Sequence, residues 1–145
     1  MASIDFASLP RAIVEGASDA IIYADAAGVI QLWNGGATTM FGYTATEAVG
    51  QTLDLIIPER LRGRHWDGYR RVMETGESHY GPGELLAVPG ERKDGSRISL
   101  EFSIAMLRDG SGQIAGIAAI LRDVSARRQQ EKELRERIAA LEKAQ

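Results

Sequence analysis

Both histidines of this 145-residue chain, His65 and His79, lie in the stretch "RLRGRHWDGYRRVMETGESHYGPG", which starts at Arg60. Leu61, His65, Tyr69, Val72 and Met73 fall at helical spacing on one face, with Asp67, Arg70 and Glu74 on the other. The spacing therefore points the His65 imidazole with the apolar residues, where it needs a partner. A backbone carbonyl can accept from its N–H, or a metal can take its lone pair. The chain contains no cysteine, which excludes disulfides, thiolate nucleophiles, zinc ribbons and iron–sulfur clusters. No nucleophile-elbow, Walker or zinc-hydrolase pattern brings Ser, Asp and His together, so the sequence does not read as an enzyme. "GESHYGPG" has the glycines of a phosphate loop but neither the Gly-Lys-Ser/Thr ending nor a helix after it.

The elements that must position these residues follow from periodicity and punctuation. Phe6, Leu9, Ile13 and Val14 predict a short amphipathic helix stopped by Gly16. "DAIIYADAAGVIQLWN" predicts a hairpin: Ile21 to Tyr23, a turn over Asp25 to Gly28, then Val29 to Trp33. Short helices follow at Ala37 to Phe41 and in "TATEAVG", where Thr44 and Glu47 have capping-box spacing. After an apolar turn at Leu53 to Ile57, Pro58 opens and Gly76 closes a helix over Glu59 to Thr75. Three strands complete the pattern: Leu85 to Glu91, Arg97 to Leu107 and Ile114 to Arg122. Ile98, Leu100, Phe102, Ile104 and Met106 alternate with polar or small residues, the mark of a sheet with one buried face. "AGIAAILRDVS" is more continuously apolar, which places its strand centrally. The expectation is an α+β fold: a five-stranded antiparallel sheet with short helices on one face, flanked by an N-terminal and a C-terminal helix.

A net charge of -3 argues against a nucleic-acid surface. No apolar run approaches the length of a membrane span and no secretory leader is evident, so a cytoplasmic location is expected. From Ser125 the composition changes to "SARRQQEKELRERIAALEKAQ". Leu134, Ile138 and Leu141 form a narrow stripe that cannot hold a solitary helix in place; it needs the domain or the same helix of a second subunit. The chain divides accordingly into an N-terminal helix (1–17), a globular sensor unit (18–124) and an output helix (125–145). That helix is read as truncated, leading to an effector outside this sequence.

The order of elements, with "DAIIYADAAGVIQLWNGGATTMFGYTATEAVGQ", "RKDGSRISLEFSI" and "GIAAILRDVS", resembles a PAS domain from Ile13 to Ser125. The resemblance implies that Asn34, Phe41, Gly42 and Gly50 hold the short helices, that Lys93, Asp94 and Gly95 form a hairpin turn, and that Asp123 caps the exit helix. Within that family the run from Pro58 to Gly83 is most similar to the haem-binding PAS domains of the rhizobial oxygen-sensing kinases (FixL type). By this resemblance the cofactor is haem b and His65 the proximal iron ligand, with Arg71 and His79 at the positions that hold the propionates. One axial imidazole suffices, because the porphyrin supplies the other four nitrogens. Tyr69, Leu85, Leu86, Leu100, Phe102 and Ile104 are the further pocket candidates, with Ile120 beside them; Met73 or Met106 could approach the iron as a second ligand.

In one respect the sequence departs from the oxygen-sensing pattern. Where those sensors carry a distal arginine, "GPGELLAVPGERKDG" has Leu85 or Leu86, which cannot donate a hydrogen bond to a polarised Fe–O₂ unit. An apolar distal side weakens preference for O₂ and leaves CO and NO relatively favoured. Two other readings compete with a gas or redox sensor. One is a cofactor-free module that joins two subunits through the N-terminal helix and outer sheet face. The other is a pocket for a small apolar or carboxylate metabolite, with Arg71 or Arg97 as anion partner. The flavin adduct of light-sensing PAS domains is excluded in its usual form, since it needs a cysteine.

Overall fold

The computed structural model describes residues 3–78 and 85–145. Strands β1 (Ala20–Asp25), β2 (Ile30–Trp33), β3 (Leu86–Glu91), β4 (Arg97–Arg108) and β5 (Ile114–Asp123) form one antiparallel sheet in the order β2-β1-β5-β4-β3. The most continuously apolar strand, β5, is thus the central one, as its sequence requires. Between β2 and β3 come helices α2 (Gly35–Phe41) and α3 (Ala45–Ala48), a 3-10 turn (Leu53–Ile56) and α4 (Glu59–Thr75). Helix α1 (Leu9–Gly16) precedes the sheet and α5 (Ser125–Lys143) follows it. This is the α+β architecture expected from the sequence.

Local chemistry accounts for the boundaries. Asn34 caps α2, and α3 carries the expected capping box between Thr44 and Glu47. Helix α4 starts after Pro58 and ends where Gly76 takes a left-handed conformation, φ 70°, that a side chain would resist. α1 is shorter than the spacing from Phe6 predicts. Pro10 suits the first turn of a helix, so the helix begins at Leu9, and Phe6 is left 82% exposed.

Register sorts each strand into two faces. Leu86 and Val88 of β3 stand opposite Phe102 and Leu100 of β4; Phe102, Ile104 and Met106 stand opposite Leu121, Ala119 and Ile117 of β5. These residues share the inner face with Ala20, Ile22 and Ala24 of β1. Ile22, Ile98, Leu100 and Leu121 join Trp33, Phe41 and Ile56 in the core.

Asn34 is the buried polar keystone of this half of the fold. Its Oδ1 accepts from the N–H groups of Ile21 (2.8 Å) and Ala37 (3.0 Å), and its Nδ2 donates to the carbonyls of Val14 (2.7 Å) and Asp19 (3.0 Å). One satisfied amide thereby joins α1, β1 and α2.

Candidate functional site

Helix α4 carries the site. Leu61, His65, Val72 and Met73 are half-buried and Tyr69 is buried, while Asp67, Arg70, Arg71 and Glu74 are exposed. His65 therefore turns inward, as its spacing predicts. Its Nδ1 is buried without a hydrogen-bond partner among the described residues. Burial pushes its pKa below the ordinary value, and the nearby Asp54 carboxylate works in the opposite direction. A neutral imidazole with an unused ring atom is the form that binds a metal.

Two aromatic contacts set the ring, and a third joins its two neighbours. His65 meets Trp66 edge-on with centroids 4.7 Å apart and Tyr69 at 5.7 Å, while Trp66 and Tyr69 are 5.4 Å apart. Trp66 Nε1 donates to Asp54 Oδ1 at 2.7 Å, linking α4 to the 3-10 turn. The indole also lies over Gly28 in the β1–β2 turn, so closely that a Cβ there would stand 2.2 Å from its ring carbons. Tyr69 donates its hydroxyl to the carbonyls of Asp25 (2.6 Å) and Ala24 (3.2 Å). Burial pushes its phenol pKa strongly upward, with Asp25 and Tyr23 adding to the effect. Tyr69 is thus engaged with the end of β1 and acts on the site by placing α4.

Helix α4 meets the sheet at the β1–β2 turn and again at its C-terminus, where the Gly76 carbonyl accepts from Arg108 Nη2 at 3.2 Å. Between these points the inner face is only partly covered by the described residues. Leu86, Phe102, Ile104 and Met106 are half-buried and Val88 is 41% exposed, although all five project from the face that elsewhere forms the core. Leu100, lower on the same face, is fully in the core. A half-covered apolar surface and an imidazole with a buried, unpartnered Nδ1 are together suited to a flat apolar ligand with one coordination position.

The structure separates the expected pocket residues. Leu86 is on the inner face directly across from Phe102. Leu85 is 65% exposed, which corrects its candidacy: it precedes the strand, and the period-two alternation directs it away from Leu86. Ile120 is corrected likewise. It pairs with Ile21 and Ser103 on the outer face and is 46% exposed; the continuous apolar run of β5 hid which positions point inward. Arg71 is exposed on α4. His79 lies outside the described residues. Met73 and Met106 are both half-buried, on α4 and on the inner face of β4. Sequence reasoning missed Asp54 and Trp66, whose meeting depends on how the 3-10 turn folds against α4.

The end of the sheet is tied to α5. Val124 N donates to the Ser99 carbonyl at 2.8 Å, and Ser99 N donates to Ser125 Oγ at 2.9 Å. Asp123 accepts from Ser125 N and from Arg92, which also donates to the Met40 carbonyl of α2. Arg127 on the first turn of α5 pairs with Glu101 of β4.

The sequence profile described as "PAS fold" matches residues 14–129. The chain is 32% identical over 127 residues to the Sensor protein FixL of Bradyrhizobium diazoefficiens, covering 87% of this chain and 24% of that protein. It is 28% identical over 113 residues to the Oxygen sensor protein DosP of Escherichia coli, covering 78% of this chain and 14% of that protein. The chain thus spans less than a quarter of either relative. Among solved structures it resembles the PAS domain of a protein from Colwellia psychrerythraea, with a TM-score of 0.72 at 21% identity over 84% of this chain and 99% of that one.

Proposed function

The chain belongs to the PAS fold family, and from that premise we propose that it is a haem b-binding sensory module whose iron is held by His65. The observation that carries this reading is the buried, unpartnered Nδ1 of His65 in a domain whose inner sheet face is only half covered. The similarity to proteins named as FixL and as an oxygen sensor supports it. Haem would supply an iron with an axial position for O₂, CO or NO and a change of redox state.

The chain's own residues set the rest. His65 would hold the iron, with its ring orientation set by the contacts to Trp66 and Tyr69. Leu86, Phe102 and Ile104 form an apolar wall without a hydrogen-bond donor, which favours CO and NO over O₂. Arg71 and His79 are assigned to the propionates by resemblance. Sensing requires two arrangements of the domain with unequal ligand affinity, since equal affinity shifts nothing. β4 carries the proposed wall residues Phe102 and Ile104 and pairs with β5; the start of β4 and the end of β5 meet at the bonded junction of Ser99, Asp123 and Ser125. A shift of either strand therefore acts on α5.

Residues 18–124 are the sensor and 125–145 the output helix, leading to an effector such as a histidine kinase in a cytoplasmic homodimer. Exposed Ile13 on α1 and exposed Leu134, Ile138 and Leu141 on α5 support the dimer. No described helix is long and apolar enough to cross a membrane.

The test is the absorption spectrum of protein expressed with adequate haem, beside His65→Ala. A Soret band lost in the variant, with folding retained by circular dichroism, is expected. Absence of the band in the native protein after added hemin would remove the reading and leave a cofactor-free or metabolite-binding module.

A further inference from the structure

On the outer side of the sheet, the β3–β4 edge and the base of α5 enclose a groove of 620 Å³ lined by Pro89, Arg97, Ser99, Arg128, Lys132 and Arg135 among others. Arg128, Lys132 and Arg135 recur at i, i+4 and i+7, a single helix face about 10 Å long, and Arg97 joins them from β4. Like charges at this spacing destabilise a helix. On the neighbouring face of α5, Arg127 pairs with Glu101 and Glu131, and Gln129 donates to Glu133.

The carboxylate that lines the groove, Glu131, is already engaged by Arg127 at 3.7 Å. Glu91 is the cross-strand neighbour of Arg97 but makes no ion pair with it. Among the described residues, these four cations have no carboxylate within ion-pair distance. They gather in one groove although the chain as a whole carries a net charge of -3.

We propose that this groove is a binding site for a phosphate-rich small anion of the nucleoside polyphosphate class. Three guanidinium forks from two elements suit phosphate oxygens, which they bind in pairs. Pro89 and Ile98 add apolar surface to a lining whose charged side chains are Arg97, Arg128, Glu131, Lys132 and Arg135. Because the groove spans β4 and the first turns of α5, an occupant braces the output helix against the sheet. This site is separate from His65 and does not depend on haem.

Calorimetric titration of the 145-residue chain with ATP, in low salt without divalent cations, tests the proposal. One ATP per chain with a dissociation constant below about 1 mM is expected. Arg97→Glu with Arg135→Glu weakens binding by at least about tenfold, and Arg97→Gln with Arg135→Gln is the milder pair should charge reversal disturb folding. Arg11→Glu, on α1 and outside the groove lining, leaves binding unchanged. Tripolyphosphate binds in competition with ATP. No saturable heat, equal weakening by Arg11→Glu, or tighter binding of a polyglutamate peptide of equal charge would overturn the assignment.

Discussion

Trp66 and Asp54 are joined by an indole N–H to carboxylate hydrogen bond of 2.7 Å, and this bond holds the helix that carries His65 against the 3-10 turn before it. The same indole rests on Gly28, so the β1–β2 turn, the 3-10 turn and α4 meet at one side chain. Nothing in the local sequence of α4 marks Trp66 for this role. It follows from the fold.

Trp66→Phe keeps an aromatic ring against His65 and Gly28 but leaves Asp54 without its donor. Loss of this charge-assisted bond is expected to cost about 1–2 kcal/mol by urea denaturation. Gly28→Ala is expected to be at least as damaging. Gly28 has φ 79°, and an added Cβ would meet the Trp66 ring at 2.2 Å, so backbone strain and displacement of the indole act together, about 1–3 kcal/mol. If the indole is what orients His65, both variants also broaden or shift the Soret band of haem-loaded protein, whereas an equally destabilising change remote from the site leaves the band unaltered.

Asn34→Asp tests the buried amide that joins α1, β1 and α2. The two Nδ2 bonds, to Val14 and Asp19 carbonyls, become contacts between oxygens in a buried site. A loss of about 3 kcal/mol or more is expected at neutral pH. Limited proteolysis should cut first within α1, because the bond to Val14 ties it to the start of α2. Uniform protection of α1 in the variant would show that the helix is held by other contacts.

How much of this was readable beforehand depends on the range of the forces involved. The limits of α4 were legible because Pro58 and Gly76 act on their own backbone, and the alternation of β4 named Leu100, Phe102 and Ile104 as inward residues. The central place of β5 followed from its apolar run, but that same run concealed that Ile120 points outward. The tie of Trp66 to Asp54 and Gly28, and the four bonds of Asn34, are tertiary; residue type and spacing carry no record of them. Gly28 was visible only as a turn glycine, when its lack of a side chain also makes room for the indole.

Leu86 and Phe102 face the same side of the sheet as cross-strand neighbours. Leu86→Arg places a cation and five donors next to the proposed ligand position, where the native wall has none. If haem is bound there, the variant's ratio of O₂ to CO affinity is expected to rise by about tenfold, the worth of one hydrogen bond to a polarised ligand. Flash photolysis of the CO form and oxygen titration of the ferrous protein give the two affinities. Leu85→Arg, on an exposed position, is the control and leaves the ratio unchanged.

Asp25 supplies a pH dependence that can be traced to one turn. Its Oδ1 accepts from the N–H groups of Val29 (3.1 Å) and Ala27 (3.0 Å), and its Oδ2 accepts from Gln31 Nε2 (2.9 Å). The Val29 bond is the largest cause of a pKa below the ordinary 3.8, with desolvation opposing it. A folded pKa below the unfolded one means that the unfolded chain takes up the proton first. The stabilisation is therefore complete above about pH 4 and is lost as pH falls through the depressed folded value. Asp25→Asn keeps the shape of the turn but carries no charge, so it is expected to be less stable than the native chain at pH 7. The difference should narrow on acidification toward pH 2, as the native carboxylate protonates. Measuring the difference between the two proteins cancels the parallel titrations of Glu47, Asp94 and Asp109, whose pKa values are also lowered. A gap that stays constant from pH 7 to about 2 would assign the effect to side-chain shape, and the carboxylate charge would have no part in holding the turn on which Tyr69 and Trp66 rest.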